Sequence, residues 1–330
     1  MLIDIFTMPE ASNITTATGD SSTMGITASV RFWSYLFSNI ASLLCTLFVL
    51  YHFLWDSTLR RAIHNHIIII ILIIGFIYEI TNIPWILYAS HTGRPLITST
   101  TFYLIWVFID YAFYSIQVAL FAWAAMERHI LIFHDRWLAT RRRRFFVHYL
   151  PIATIIIYCV IFYCLIYFGS FCENSFESFE AGGVYIPCVF IKTFLGTWDL
   201  LVHQVIPTFL ILIFSVALVV RVLWQKRRFH QQMQWRKIRK MTIQLISIVV
   251  LYLLFNGPWT FVIFAYQYGL REDIALIAMS YTIYFYYYVI FLLPFVCCGF
   301  LPELRKKVKE CFRGRRMQQV VPLGLLTVRT

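Results

Sequence analysis

Charge is the scarcest commodity in this sequence. Asp, Glu, Lys and Arg together make up 13% of its 330 residues, about half of the roughly 25% found in a soluble domain. A chain this poor in charge cannot solvate the surface of a water-borne globule, so a water-soluble enzyme is excluded. Internal repeats, low-complexity linkers and any break that would announce a second domain are all missing, which leaves one bundle. The sequence also offers no His/Cys metal cluster, phosphate-binding loop or nucleophile–base pair, so it predicts a protein that is not an enzyme and holds no metal or cofactor. The first 30 residues carry no basic stretch ahead of an apolar core, so no cleavable leader is expected and the first helix serves as its own insertion signal.

What is present is apolar. Hydrophobic residues reach 60%, with 31 Phe, 20 Tyr and 10 Trp, and the mean hydropathy is +0.72. That excludes disorder and makes lipid the solvent for most of the chain. Seven stretches approach or exceed the roughly 20 residues needed to cross a bilayer as a helix: 33–55, 67–89, 100–133, 145–171, 200–220, 241–270 and 274–301. Five of them contain no Asp, Glu, Lys or Arg. Alternating segments of about 10 residues, the mark of a membrane β-barrel, do not occur. The expectation is an all-α membrane protein, a seven-transmembrane helix bundle at 33–301. It is flanked by an extracellular N-terminus at 1–32 and a cytoplasmic amphipathic helix and tail at 302–330.

Basic residues set the orientation. The connections 56–66, 134–144 and 221–240 and the C-terminal tail together hold 23 of the 28 Lys and Arg. The opposite side holds four: Arg31, Arg94, Lys192 and Arg271. Positive charge gathers on the cytoplasmic side, which places the N-terminus outside. The net charge of +12 is then a topology signal and predicts no nucleic-acid partner. Asn13-Ile14-Thr15 is a glycosylation sequon on the side already assigned to the exterior. Cys172 and Cys188 share the long outer connection between the fourth and fifth spans, in a compartment where a pair has reason to bond.

The third span carries the most informative pattern. Asp110 lies 18 residues before Arg128, five turns at 3.6 residues each, so both are on one face and about 27 Å apart. Between them the face reads Tyr114, Gln117, Phe121 and Ala124. Polar groups on one face of a membrane helix turn to the bundle interior. One charge is placed for each side of the membrane, whereas a transporter gathers its charges near the midplane.

Glu127-Arg128-His129 ends that span, just before a basic loop. It resembles the Glu/Asp-Arg-Tyr motif of rhodopsin-like (class A) G-protein-coupled receptors, with His in the Tyr place. The resemblance covers about 33–312. Asn39 matches the polar Asn of the family's first helix, Pro207 and Pro258 its kink prolines, and Leu293-Pro294-Phe295-Val296-Cys297 stands where it has Asn-Pro-x-x-Tyr. After these, Leu301, Leu304, Val308 and Phe312 repeat opposite Arg305, Lys306, Lys309 and Arg313, as in the family's short interfacial eighth helix. Cys311 on that stretch resembles a palmitoylation site.

The departures mark a divergent member. Gly75 stands where the second helix usually has an acid, which argues against a sodium pocket. Phe255-Asn256-Gly257-Pro258 replaces Cys-Trp-x-Pro, and Tyr103 stands where the third helix usually has Cys. The resemblance therefore implies a Cys172–Cys188 disulfide within the outer loop. It further implies a plasma-membrane receptor that activates a heterotrimeric G protein through Glu127, Arg128 and His129. Its ligand, a small cationic amine or peptide, would be held by Asp110, Tyr114, Trp259, Tyr284 and Tyr287.

Plainer readings stand beside these. Arg128 could snorkel to headgroups, Asp110 could be a structural residue bonded to a Tyr of the seventh helix, and Glu79 is expected to be a satisfied interhelical acid. In the run 284–288, the face with Tyr284, Tyr287 and Tyr288 is expected to look inward. The competing function is a seven-helix chemosensory channel or transporter.

Overall fold

The computed structural model describes residues 26–133, 140–169, 194–228 and 232–300. Seven of its helices are long and apolar enough to cross a membrane: Ala28–Trp55, Asn65–Thr92, Thr100–Ile132, Arg141–Phe168, Phe194–Trp224, Thr242–Gln267 and Asp273–Gly299. No strand occurs among the described residues. The chain is an all-α, multi-pass membrane protein. The positions singled out at Asn13, Cys172, Cys188 and Cys311, and the amphipathic stretch 301–313, lie outside the described residues.

The first helix shows why lipid suits this fold. Asn39, Ser42 and Thr46 are buried against the bundle, while Trp33, Phe37, Ile40, Leu44, Leu47, Tyr51 and Leu54 are exposed at alternating spacings of three and four. Polar inside and apolar outside inverts the arrangement of a water-soluble helix. The helix starts at Ala28 and not at Trp33, because the Thr27 hydroxyl accepts a 3.4 Å hydrogen bond from the Val30 amide and caps it.

Prolines accompany breaks or widened turns in the second, fourth and fifth helices. The second helix breaks at Thr81, three residues before Pro84, whose ring crowds the carbonyl of Ile80. The seventh breaks at Tyr287, seven residues before Pro294, which itself lies inside the regular helix Tyr288–Phe300. In the fourth and fifth the helix widens into a π turn just before the proline: Phe145–Tyr149 ahead of Pro151, and Leu200–Val205 ahead of Pro207. A proline cannot return a hydrogen bond to the carbonyl four residues back, and a wider turn relieves the clash. Each π turn holds a fully buried histidine, His148 or His203.

The third helix runs through the centre, touching the second, fourth, fifth and sixth, while the first packs against the second and seventh. Across that last seam the Cys45 and Cys298 sulfurs lie 3.7 Å apart. Mild oxidation of membranes with a copper–phenanthroline catalyst is expected to cross-link these two positions, detected as one joined peptide by mass spectrometry and lost in Cys45→Ala. Failure to cross-link would mean that the first and seventh helices do not meet in this register.

Candidate functional site

All six residues of the third helix's inner stripe, from Asp110 through Tyr114, Gln117, Phe121 and Ala124 to Arg128, are buried. Asp110 and Tyr114 are tied to different neighbours at different levels, while the buried Gln117 Nε2 has no hydrogen-bond partner among the described residues.

Toward the N-terminal end of the third helix, the Asp110 carboxylate accepts hydrogen bonds from the Tyr78 hydroxyl and, at 2.7 Å, from the Asn82 amide. Asn82 in turn accepts from the Trp106 indole N–H. The break at Thr81 aims Asn82 at the carboxylate. Tyr287 of the seventh helix packs against Tyr78, ring centroids 6.2 Å apart. Asp110 is 9% exposed, and both of its second-helix donors fall on Oδ1.

Deeper, Asn256 is fully buried and uses its whole carboxamide. It accepts from the Tyr114 hydroxyl at 3.0 Å and donates to the Tyr252 hydroxyl at 2.6 Å and to Thr260 Oγ1 at 3.2 Å. Tyr252 also meets Thr208 Oγ1 at 3.0 Å. The third, fifth and sixth helices therefore join one turn from Pro258. A cavity of about 10 Å³ lies here between Tyr114, Gln117, Asn256 and Tyr286, room for about one water molecule.

A third cluster sits between the third, fourth and fifth helices. The Tyr163 hydroxyl bonds Ser115 at 2.5 Å and donates to Asp199, whose carboxylate also meets His203 Nδ1 at 2.8 Å. The π turn keeps both Asp199 and His203 facing inward.

At the end of the bundle with the basic loops, Glu127 and Arg128 are 1% and 3% exposed. They line a second cavity of about 10 Å³ with Ile67, Ile71, Leu245 and Leu293. Such burial is not the posture of an arginine snorkelling to headgroups. Glu127 bonds to His148 Nδ1, and His129, half-buried, packs its ring on Phe214 at 6.2 Å.

No family model and no curated protein matches the chain.

Of the expected ligand residues, the structure gathers some and separates others. Tyr114 and Trp259 converge on one ring, Tyr286, at 5.0 and 6.4 Å. Tyr284 turns away toward the first helix, stacking on Tyr35 at 5.3 Å and donating to Ser34. Tyr286 was not expected on the inner face, and the break at Tyr287 shifts the helix phase enough to bury it. Glu79 is an interhelical acid, accepting from Ser42 of the first helix at Oε1, but its buried Oε2 has no hydrogen-bond partner among the described residues, so it is not the fully satisfied acid expected. Sequence reasoning missed Tyr78, Asn82, Tyr163, His66 and His148. For His148 a signal was available: it is the one histidine in a fourth span without Asp, Glu, Lys or Arg.

Proposed function

We propose that the protein is a rhodopsin-like G-protein-coupled receptor of the plasma membrane, one that carries signals and performs no chemistry of its own. One observation carries this reading. The third helix holds Asp110 and Arg128 on a single buried face near opposite ends, and Asp110 and Tyr114 of that face reach the second and sixth helices at different levels. A change at one end is thereby coupled to the packing of helices at the other, which a two-state bundle needs for a ligand to bias it.

In this reading a cationic group, from an amine or a peptide, engages the Asp110 carboxylate, whose second-helix donors share one oxygen. An ammonium–carboxylate bond, with both partners charged, is among the stronger hydrogen bonds available. Tyr114, Trp259 and Tyr287 supply aromatic surface nearby, and Tyr284 belongs to the first-helix seam. The Asn256 junction relays the shift to the sixth helix. Glu127, Arg128 and His129 then meet a heterotrimeric G protein.

The test is a second-messenger panel in cells challenged with amine and peptide libraries, with Arg128→Ala as the comparison. Removing this buried cation is expected to abolish or distort coupling while surface expression and ligand binding persist. Normal signalling by Arg128→Ala would reduce the likeness to the fold, and agonist-evoked current without a G protein would favour the channel.

A further inference from the structure

Glu127 does not end its hydrogen bonding at His148. The other nitrogen of that ring, Nε2, lies 3.0 Å from His66 Nδ1, and His66 Nε2 lies 2.8 Å from the backbone carbonyl of Arg60. One unbranched chain thus joins the third helix to the fourth, the fourth to the second, and the second to the basic loop that precedes it. Its inner members are sealed, with Glu127 at 1% and His148 at 0% exposure, while His66 is half-buried at the loop end.

Counting hydrogens decides what this chain holds. A carbonyl only accepts, so His66 Nε2 carries a hydrogen. The contact between the two rings needs one hydrogen, and so does the contact between His148 and the carboxylate. Three contacts require three hydrogens. Two neutral imidazoles and a carboxylate supply two. The third is an additional proton, resident on Glu127 or shared along the rings, and such a set titrates as one unit. Removing it leaves two lone pairs facing each other within hydrogen-bonding distance. Adding a fourth forces two hydrogens into one contact.

We propose that Glu127, His148 and His66 form a binding site for a single proton at the basic-loop end of the bundle, and that its occupancy holds the second, third and fourth helices together. With the proton bound the triad is neutral as a whole, and the Arg128 cation beside it is the remaining buried charge. Without it a negative charge remains there. Among the described residues, the charged and titratable groups around the triad are few. Arg128 adjoins Glu127 on the third helix. Tyr149 stacks near both rings, at 6.0 Å from His66 and 4.7 Å from His148, and Arg144 lies one turn earlier on the fourth helix. The Arg60 guanidinium donates to the Leu54 carbonyl at 2.8 Å. The sixth and seventh helices present Leu245, Ile248 and Leu293 to the cavity beside Glu127 and Arg128. The site stands whether or not the chain is a receptor.

Glu127→Gln separates this idea from a merely structural role. A carboxamide donates to His148 Nδ1, so two neutral rings complete all three contacts and no additional proton is needed. The full chain, reconstituted in phosphatidylcholine nanodiscs, would be unfolded thermally between about pH 5 and 8. Below the site's titration the folded wild type binds one proton more than folded Glu127→Gln, while above about pH 5 the two unfolded chains, with their histidines titrating alike, bind the same number. The wild type's unfolding constant, relative to Glu127→Gln, should therefore rise with pH by up to tenfold per unit and level off once the site has emptied. An identical pH dependence in the two proteins would overturn the proposal. Should Glu127→Gln fail to assemble, nitrogen NMR of histidine-labelled wild type decides. His66 and His148 titrating in one shared step supports the site, and two independent titrations refute it.

Discussion

Asp110→Asn is expected to weaken a cationic agonist by roughly 2–5 kcal/mol, the cost of removing one partner from a buried charge pair, while leaving the bundle assembled. That is about 30-fold to several-thousand-fold in affinity. The fold should survive because the new side chain keeps a carbonyl oxygen at the position that accepts from Tyr78 and Asn82. Asp110→Ala is the informative contrast. It leaves both donors without their acceptor, and interhelical bonds in membranes average about 0.6 and reach about 1.7 kcal/mol each. A loss of about 1–3 kcal/mol in stability is therefore expected. Radioligand displacement and thermal unfolding, run on both variants, measure the two effects separately. An agonist indifferent to Asp110→Asn would leave the carboxylate as the acceptor of the second helix's donors and nothing more.

The legible part of this molecule was the part that lipid dictates. Seven apolar runs without hydrogen-bonding solvent must be helices, and the 18-residue step from Asp110 to Arg128 put both on the inner face before any coordinates were needed. Helix ends were less legible, since a cap such as Thr27 acts outside the apolar run. Partners were the least legible. Glu127 stands beside Arg128 in sequence, yet its hydrogen bond goes to His148, 21 residues away on another helix. That pairing depends on a π turn before Pro151, which shifts the phase of the fourth helix in a way that no fixed 3.6 period captures. The same cause hid Tyr286, buried through a break at Tyr287.

Asn256→Ala carries the other large expectation, in the middle of the bundle. Its carboxamide fills the place of an aromatic ring expected from family likeness, and it is fully engaged: one acceptor and two donors, all used. Truncation removes three hydrogen bonds and opens a void beside a cavity that already has room for about one water. At about 0.6–1.7 kcal/mol per bond, the expected loss is roughly 2–5 kcal/mol. Tyr252 keeps Thr208 as a partner, so the burden falls on Tyr114, whose hydroxyl is the link between the third and sixth helices. A double-mutant cycle with Tyr114→Phe isolates that link. Its coupling energy should fall within the same 0.6–1.7 kcal/mol range, because each single change abolishes the same bond. Freed from the third helix, the sixth is held beside Pro258 by its remaining contacts alone, so basal second-messenger output in Asn256→Ala is expected to rise above wild type at equal surface expression. Full additivity in the cycle, with unchanged basal output, would mean that the two helices are held by apolar packing and that the Asn256 junction couples nothing.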